Sequence, residues 1–118
     1  NQSLTDAASI EINTLYNDLN ICPGTEDWFC IQAVASGSYI ADILFTTDPL
    51  NPANDDLNLQ VVTVVDAGSL TGNLGTDLNV GDNASVDFTL TEDTNVCLRV
   101  FPLRQTSINS YSLQISQP

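Results

Sequence analysis

Apolar residues recur at every second position through most of the chain, and no window sustains the period of an amphipathic helix. Ile10 and Ile12, then Leu19 and Ile21, predict two short opening strands. After the turn Cys22-Pro23-Gly24, the run Asp27-Trp28-Phe29-Cys30-Ile31 predicts a strand. Phe29 and Ile31 occupy one face of it, Trp28 and Cys30 the other. Beyond Ser36-Gly37-Ser38, the segment from Tyr39 to Phe45 predicts another, with Ile43 and Phe45 inward. Leu57, Leu59 and Val61 alternate with Asn58 and Gln60, and the apolar stretch continues to Val65. Three further alternating runs, Val86 to Leu90, Val96 to Val100 and Tyr111 to Ile115, complete the series. Between them, residues 46–56 are dense in Pro, Asn and Asp and predict a loop. Asp66 to Asn83, rich in Gly, Asn and Asp, predicts turns around one weak strand. Over Ser3 to Leu19 the spacing of Leu4, Ala7, Ala8, Ile12 and Leu15 also suits a short helix, with a strand as the preferred reading.

About eight short strands separated by turn clusters imply an all-β sandwich or barrel in which each strand turns one apolar face to a shared core. The expected core is Phe29, Ile31, Leu57, Leu59, Val86, Phe88, Leu98, Val100, Tyr111 and Leu113. No repeat and no linker divides the chain, so residues 1–118 are expected to form a single domain. No leader opens it either, so an exported protein is expected in its mature or excised form.

Charge narrows the function. The chain has 15 acidic residues against 2 basic ones, no histidine, and a formal net charge of −13. Both basic residues, Arg99 and Arg104, are arginines. Such a surface repels nucleic acid and anionic lipid, which both need a basic patch. Membrane insertion is not expected either, since no apolar run approaches the ~20 residues of a spanning helix. The acidity suits solubility, calcium binding or a positively charged partner.

Cys22, Cys30 and Cys97 in a small chain rich in Thr, Ser and Asn point to a secreted or cell-surface setting where disulfides persist. The odd count leaves one thiol buried or committed to another chain. Three cysteines without a CxxC spacing and without histidine do not make a zinc site. Catalysis is not expected. No histidine or lysine is present to act as base or amine nucleophile, and no Gly-rich phosphate loop occurs. A pair of carboxylates would serve a glycosidase, but most of the acids fall in turn sequences, and so small a sandwich has little room for a deep cleft.

Oxygen-rich segments are calcium candidates: Thr25-Glu26-Asp27 ahead of a strand, and Asp48, Asp55 and Asp56 in the long loop. Turn formation explains the same residues without a metal. Trp28 and Phe101 are candidates for outward aromatics of the kind that grip sugar rings or extended peptides; cover by a loop or by the N-terminal segment is the alternative for Trp28. Asn83-Ala84-Ser85 and Asn1-Gln2-Ser3 match the glycosylation tripeptide, a pattern short enough to arise by chance.

Four runs resemble one known family. Glu26-Asp27-Trp28-Phe29 resembles the "D-x-D-W/Y-F" opening of bacterial pre-peptidase C-terminal domains, with Thr25 at the first aspartate. Asp56-Leu57-Asn58-Leu59 is similar to that family's "D-L-D-L" strand. Val96 to Val100 resembles its "Y-Y-V-R-V" strand, with Arg99 at the arginine, and Asn109-Ser110-Tyr111-Ser112-Leu113 its closing "x-S-Y-T-L" strand. The matches fall in the family's order and span most of the chain. The resemblance implies a jelly-roll-like β-sandwich, non-catalytic and secreted by bacteria, appended to hydrolases or surface proteins, as in the collagen-binding domains of collagenases. Some members bind collagen or polysaccharide. Some hold calcium between an acidic N-terminal linker and the "D-x-D" turn, which here would draw on Asp6, Glu26 and Asp27.

In an eight-stranded jelly roll the second and seventh strands are neighbours, and here they carry Cys30 and Cys97. Both cysteines are out of phase with the inward residues, so the fold predicts a Cys30–Cys97 disulfide with Cys22 left over; Cys22–Cys30 is the rival pairing. The same adjacency gathers Trp28, Arg99 and Phe101 into one outward patch, unless Arg99 serves only as a structural salt-bridge partner. Two functions then stand side by side. One is an extracellular attachment module that recognises a polymer or protein. The other is a structural subunit that assembles with copies of itself by strand exchange at its termini or through an intermolecular disulfide.

Overall fold

In strand β7 (Ala84–Leu90), Ala84, Val86, Phe88 and Leu90 are buried while Ser85, Asp87 and Thr89 are exposed. A two-residue period imposes this alternation on any sheet that rests one face on a core. The computed structural model describes residues 7–21, 25–45, 56–64, 70–78, 83–102 and 109–117. The remaining strands there are β1 (Ala8–Ser9), β2 (Tyr16–Ile21), β3 (Asp27–Val34), β4 (Gly37–Leu44), β5 (Leu57–Val64), β6 (Leu70–Asp77), β8 (Thr94–Pro102) and β9 (Asn109–Ser116).

They form two sheets, one of five strands in the order β1-β3-β8-β5-β6 and one of four in the order β2-β9-β4-β7. Every ladder is antiparallel except β1 on β3. The fold is thus the expected all-β sandwich, with nine described strands and one parallel pair. No helix occurs over the described residues 7–21. The first strand lies at Ala8–Ser9, ahead of the Ile10 and Ile12 alternation; Ile10 follows it and donates its N–H to Cys30 O at 3.1 Å.

Nine of the ten expected core residues are buried between the sheets. Ile31 is partly exposed and packs on the core from its margin. β3 shifts its register against β8 between Ile31 and Val34, where Ala33 takes φ of 54°, so the strand end turns away from the ladder. Across the interior, the Tyr111 hydroxyl of β9 donates to Asp27 Oδ2 of β3, joining the two sheets. The turn before β2 is tied to β9: Asn13 N–H donates to Ile115 O at 2.7 Å, and Gln117 N–H donates to Asn13 Oδ1.

The central strands of the larger sheet are buried on both faces. Leu57, Asn58 and Leu59 are all buried, as are Val61 and Val62 in β5 and Val96, Cys97 and Leu98 in β8. A second, smaller apolar cluster therefore lies on the outer face. It contains Trp28, Val62, Val64 and Cys97, with Ala7 and Cys30 beside them.

Candidate binding surface

The register of β3, β8 and β5 arranges the outer face in rows. Cys30, Cys97 and Val62 lie opposite one another; the next row holds Trp28, Arg99 and Gln60, and then Phe101 faces Asn58. Cys30 and Cys97 are directly paired, with Cα atoms 4.1 Å apart, and form the predicted disulfide. Cys22 lies outside the described residues.

Arg99 is the hub of this face. Its Nε donates to Glu26 Oε2 at 2.7 Å, its Nη1 donates to Gln60 Oε1 at 3.4 Å, and its guanidinium lies 4.1 Å over the Phe101 ring. The other oxygen of the same carboxylate, Glu26 Oε1, accepts from Trp28 Nε1 at 2.9 Å. Glu26 thus holds both the guanidinium and the indole. About a third of each ion-pair side chain reaches solvent, 32% for Arg99 and 31% for Glu26. Salt screens such a pair, so its consequence is orientation more than stability. The guanidinium is held over a partly exposed aromatic ring, and about a third of the side chain stays open to solvent.

Trp28 corrects one expectation. It does project from the outer face, but it is only 7% exposed, because the Val62–Val64 cluster receives it and Glu26 satisfies its N–H. It is an anchor beneath the patch and offers little contact area. Gln60, which no sequence feature singled out, belongs to the patch because β5 lies on the far side of β8. Beside it, Asn58 is 2% exposed, and its Oδ1 accepts no hydrogen bond from a described residue.

The described calcium candidates do not converge. Both oxygens of Glu26 are engaged as above, and Asp27 Oδ2 accepts from Tyr111. Asp56 is fully buried. Asp6, Asp48 and Asp55 lie outside the described residues. Among the described residues no group of three or more acids or cysteines is placed to share a cation. A cation also has to compete with the Arg99 guanidinium for Glu26, so the described part of the "D-x-D" turn does not fit calcium. Burial pushes the Asp27 carboxyl above its ordinary value, and the hydrogen bond from Tyr111 opposes that shift only in part. Burial, followed by the Asp27 hydrogen bond and charge, holds the Tyr111 hydroxyl firmly protonated.

No sequence family and no curated protein matches the chain. Solved structures do. The pre-peptidase C-terminal domain of a collagenase from Bacillus anthracis superposes with a TM-score of 0.68 at 13% identity, over 93% of this chain and 94% of that one. CorA, a surface-associated copper-binding protein of Methylomicrobium album BG8, gives 0.64 at 8% identity over 96% and 98%. PliG of Aeromonas hydrophila, a periplasmic inhibitor of g-type lysozyme, gives 0.55 at 12% identity over 93% and 94%. Identities this low speak for architecture alone. That architecture is the one the four sequence runs resemble: the chain has the fold of a bacterial pre-peptidase C-terminal domain.

Proposed function

We propose that this chain is a non-catalytic extracellular binding module that attaches a secreted protein to a polymer or protein surface through the outer face of its five-stranded sheet. The observation that carries this reading is the Arg99 guanidinium, fixed by Glu26 and laid 4.1 Å over Phe101. Loosely held arginines lose side-chain entropy on binding; a pre-oriented one loses less. A cation on an aromatic ring, flanked by the Gln60 amide, suits hydroxyl-rich or carboxylate-bearing ligands such as sugars and extended peptide. The family resemblance of the four sequence runs, together with the shared fold, supports attachment as the role, and the disulfide suits an oxidising compartment outside the cytoplasm.

The self-assembling alternative is less well supported where it would exchange the C-terminal strand. β9 lies between β2 and β4, so lending it to a neighbour would divide the four-stranded sheet. Arg99→Ala and Phe101→Ala, each first checked for an unchanged melting profile, test the site by pull-down on insoluble polysaccharides and on collagen. Both variants should lose retention that the wild type has. Retention equal to wild type on every support removes the patch as the contact surface.

A further inference from the structure

β7 is one of the two outer strands of the four-stranded sheet, and among the described residues it pairs only with β4. In an antiparallel ladder the N–H and C=O of one residue point the same way, alternately towards a neighbour and away from it. Ser85 N–H donates to Asp77 Oδ2 of β6 at 2.9 Å, which fixes the phase. Ser85, Asp87 and Thr89 turn their main-chain groups to the open side, while Ala84, Val86, Phe88 and Leu90 turn theirs to β4. Asp77 closes the edge at Ser85. Among the described residues nothing bonds the main chain of Asp87 or Thr89 on that side. The strand itself carries few of the usual protections: it has no proline or lysine, a single charge, and an unbroken register with β4.

β6 closes on β7 near Gly75 and Val86, then departs. Val61 faces Gly75 while Val62 faces Asn73, a bulge that leaves Leu74 without a partner in the ladder. Where the strands part, a groove of about 600 Å³ opens, lined by Leu74, by Asp87, Phe88 and Thr89, and by Ser38 and Ile40 of β4. One side of it is apolar, with the Phe88 ring stacked on Tyr39 at 5.5 Å. The rim is acidic. Asp87 is exposed beside the edge, Asp42 lies one pair along on the same face, and Glu92 and Asp93 are exposed in the turn that follows.

The geometry points to the Asp87–Thr89 edge of β7 as a strand-docking site for an extended segment of another protein carrying lysine or arginine at alternate positions. Such a segment pairs its main chain with the free groups of Asp87 and Thr89 and sets apolar side chains against Leu74 and Phe88. Its cations then lie on the outer face beside Asp87. A second copy of this chain is a poor occupant. Antiparallel self-pairing would bring Asp87 towards its own equivalent, in a chain of net charge −13 whose Arg99 is committed to Glu26 on the opposite sheet.

The test is fluorescence anisotropy with a labelled lysine–valine alternating peptide roughly nine residues long, enough to span the strand. The comparators are its glutamate–valine counterpart and a lysine–valine peptide N-methylated on the amides of one edge. The protein variants are Thr89→Pro, which removes an open-edge N–H and no bond to β4, and Asp87→Lys. The lysine peptide should bind wild type about tenfold or more tighter than either comparator, and each variant should weaken it by about as much. Should Thr89→Pro unfold, the N-methylated peptide on wild-type protein decides the same question. Equal binding of the methylated peptide, equal binding of the glutamate peptide, or no binding at all overturns the proposal. So does a concentration-dependent dimer of the wild type that Asp87→Lys alters, because a second copy would then occupy the edge. Arg99→Ala should leave this binding unchanged, which separates it from the patch on the other sheet.

Discussion

Tyr111 of β9 donates its hydroxyl hydrogen bond to Asp27 at the start of β3, so a single side-chain contact ties the two sheets at one end of the sandwich. The carboxylate accepts that bond in a site whose burial disfavours its charge, and burial prevails: the folded pKa lies above the ordinary 3.8. Such an acid gives its full stabilisation below the unfolded value and loses it as pH rises through the folded one. Asp27→Asn keeps an acceptor and removes the titration. Urea midpoints between pH 3 and 7 should therefore show wild type losing ground to Asp27→Asn as pH rises above 3.8, with a plateau towards neutrality. A difference that grows in favour of wild type over that range would show that the Tyr111 bond outweighs burial.

The Cys30–Cys97 disulfide closes a sequence separation of 67 residues. Loop-closure entropy for such a span corresponds to roughly 4 kcal/mol of stabilisation, much of a small domain's total. Cys97 is fully buried on the outer face, so replacing both cysteines with alanine also removes packing around Trp28 and Val62. The double alanine variant should unfold at a markedly lower urea concentration. Reduced wild type should fall close to it, since both lack the crosslink and differ only in packing. Indistinguishable midpoints for oxidised and reduced protein would sink the argument.

The period-two pattern carried most of the fold because each strand of a sandwich resolves the same local question, which face is apolar. It placed Phe29 inward and Trp28 and Cys30 outward correctly. It left Trp28 either exposed or covered, because alternation implies one wet face, whereas the outer face of the larger sheet has its own small core. The signal for that was present in Val61-Val62, where alternation breaks and both faces of β5 become apolar. Glu26 was legible as a calcium candidate and as part of the "D-x-D" run, and not as the partner of an arginine. Its engagement with Arg99, 73 residues away, follows from the register of β3 on β8, which sequence spacing alone does not supply.

Strand phase has its own test in two adjacent residues of β7. Phe88 is buried and stacked on Tyr39, whereas Asp87 is exposed. Phe88→Ala leaves a cavity and should lower stability by about 3–5 kcal/mol, while Asp87→Ala should stay within about 0.5 kcal/mol. Thermal melts at one pH compare the two directly. Similar losses in both would mean that the strand is out of phase by one residue.

Gly75 sets how closely the two sheet edges approach. A Cβ built there would lie 2.6 Å from Val86 Cγ1, well inside any real carbon contact. Val86 cannot swing aside easily, because its branched Cβ restricts χ1 and the residue is 5% exposed in the core. Gly75→Ala should therefore cost about 1–3 kcal/mol through overpacking, although alanine normally suits a strand better than glycine. The cause is isolated by Val86→Ala, which opens a small cavity at the point where the new methyl would enter. Alone, each substitution destabilises; together, the added methyl occupies part of the vacated volume, and the combined loss should fall short of the sum by more than about 0.5 kcal/mol. Strict additivity in that double-mutant cycle would place the effect of Gly75→Ala in the backbone of β6 and detach it from the contact with Val86.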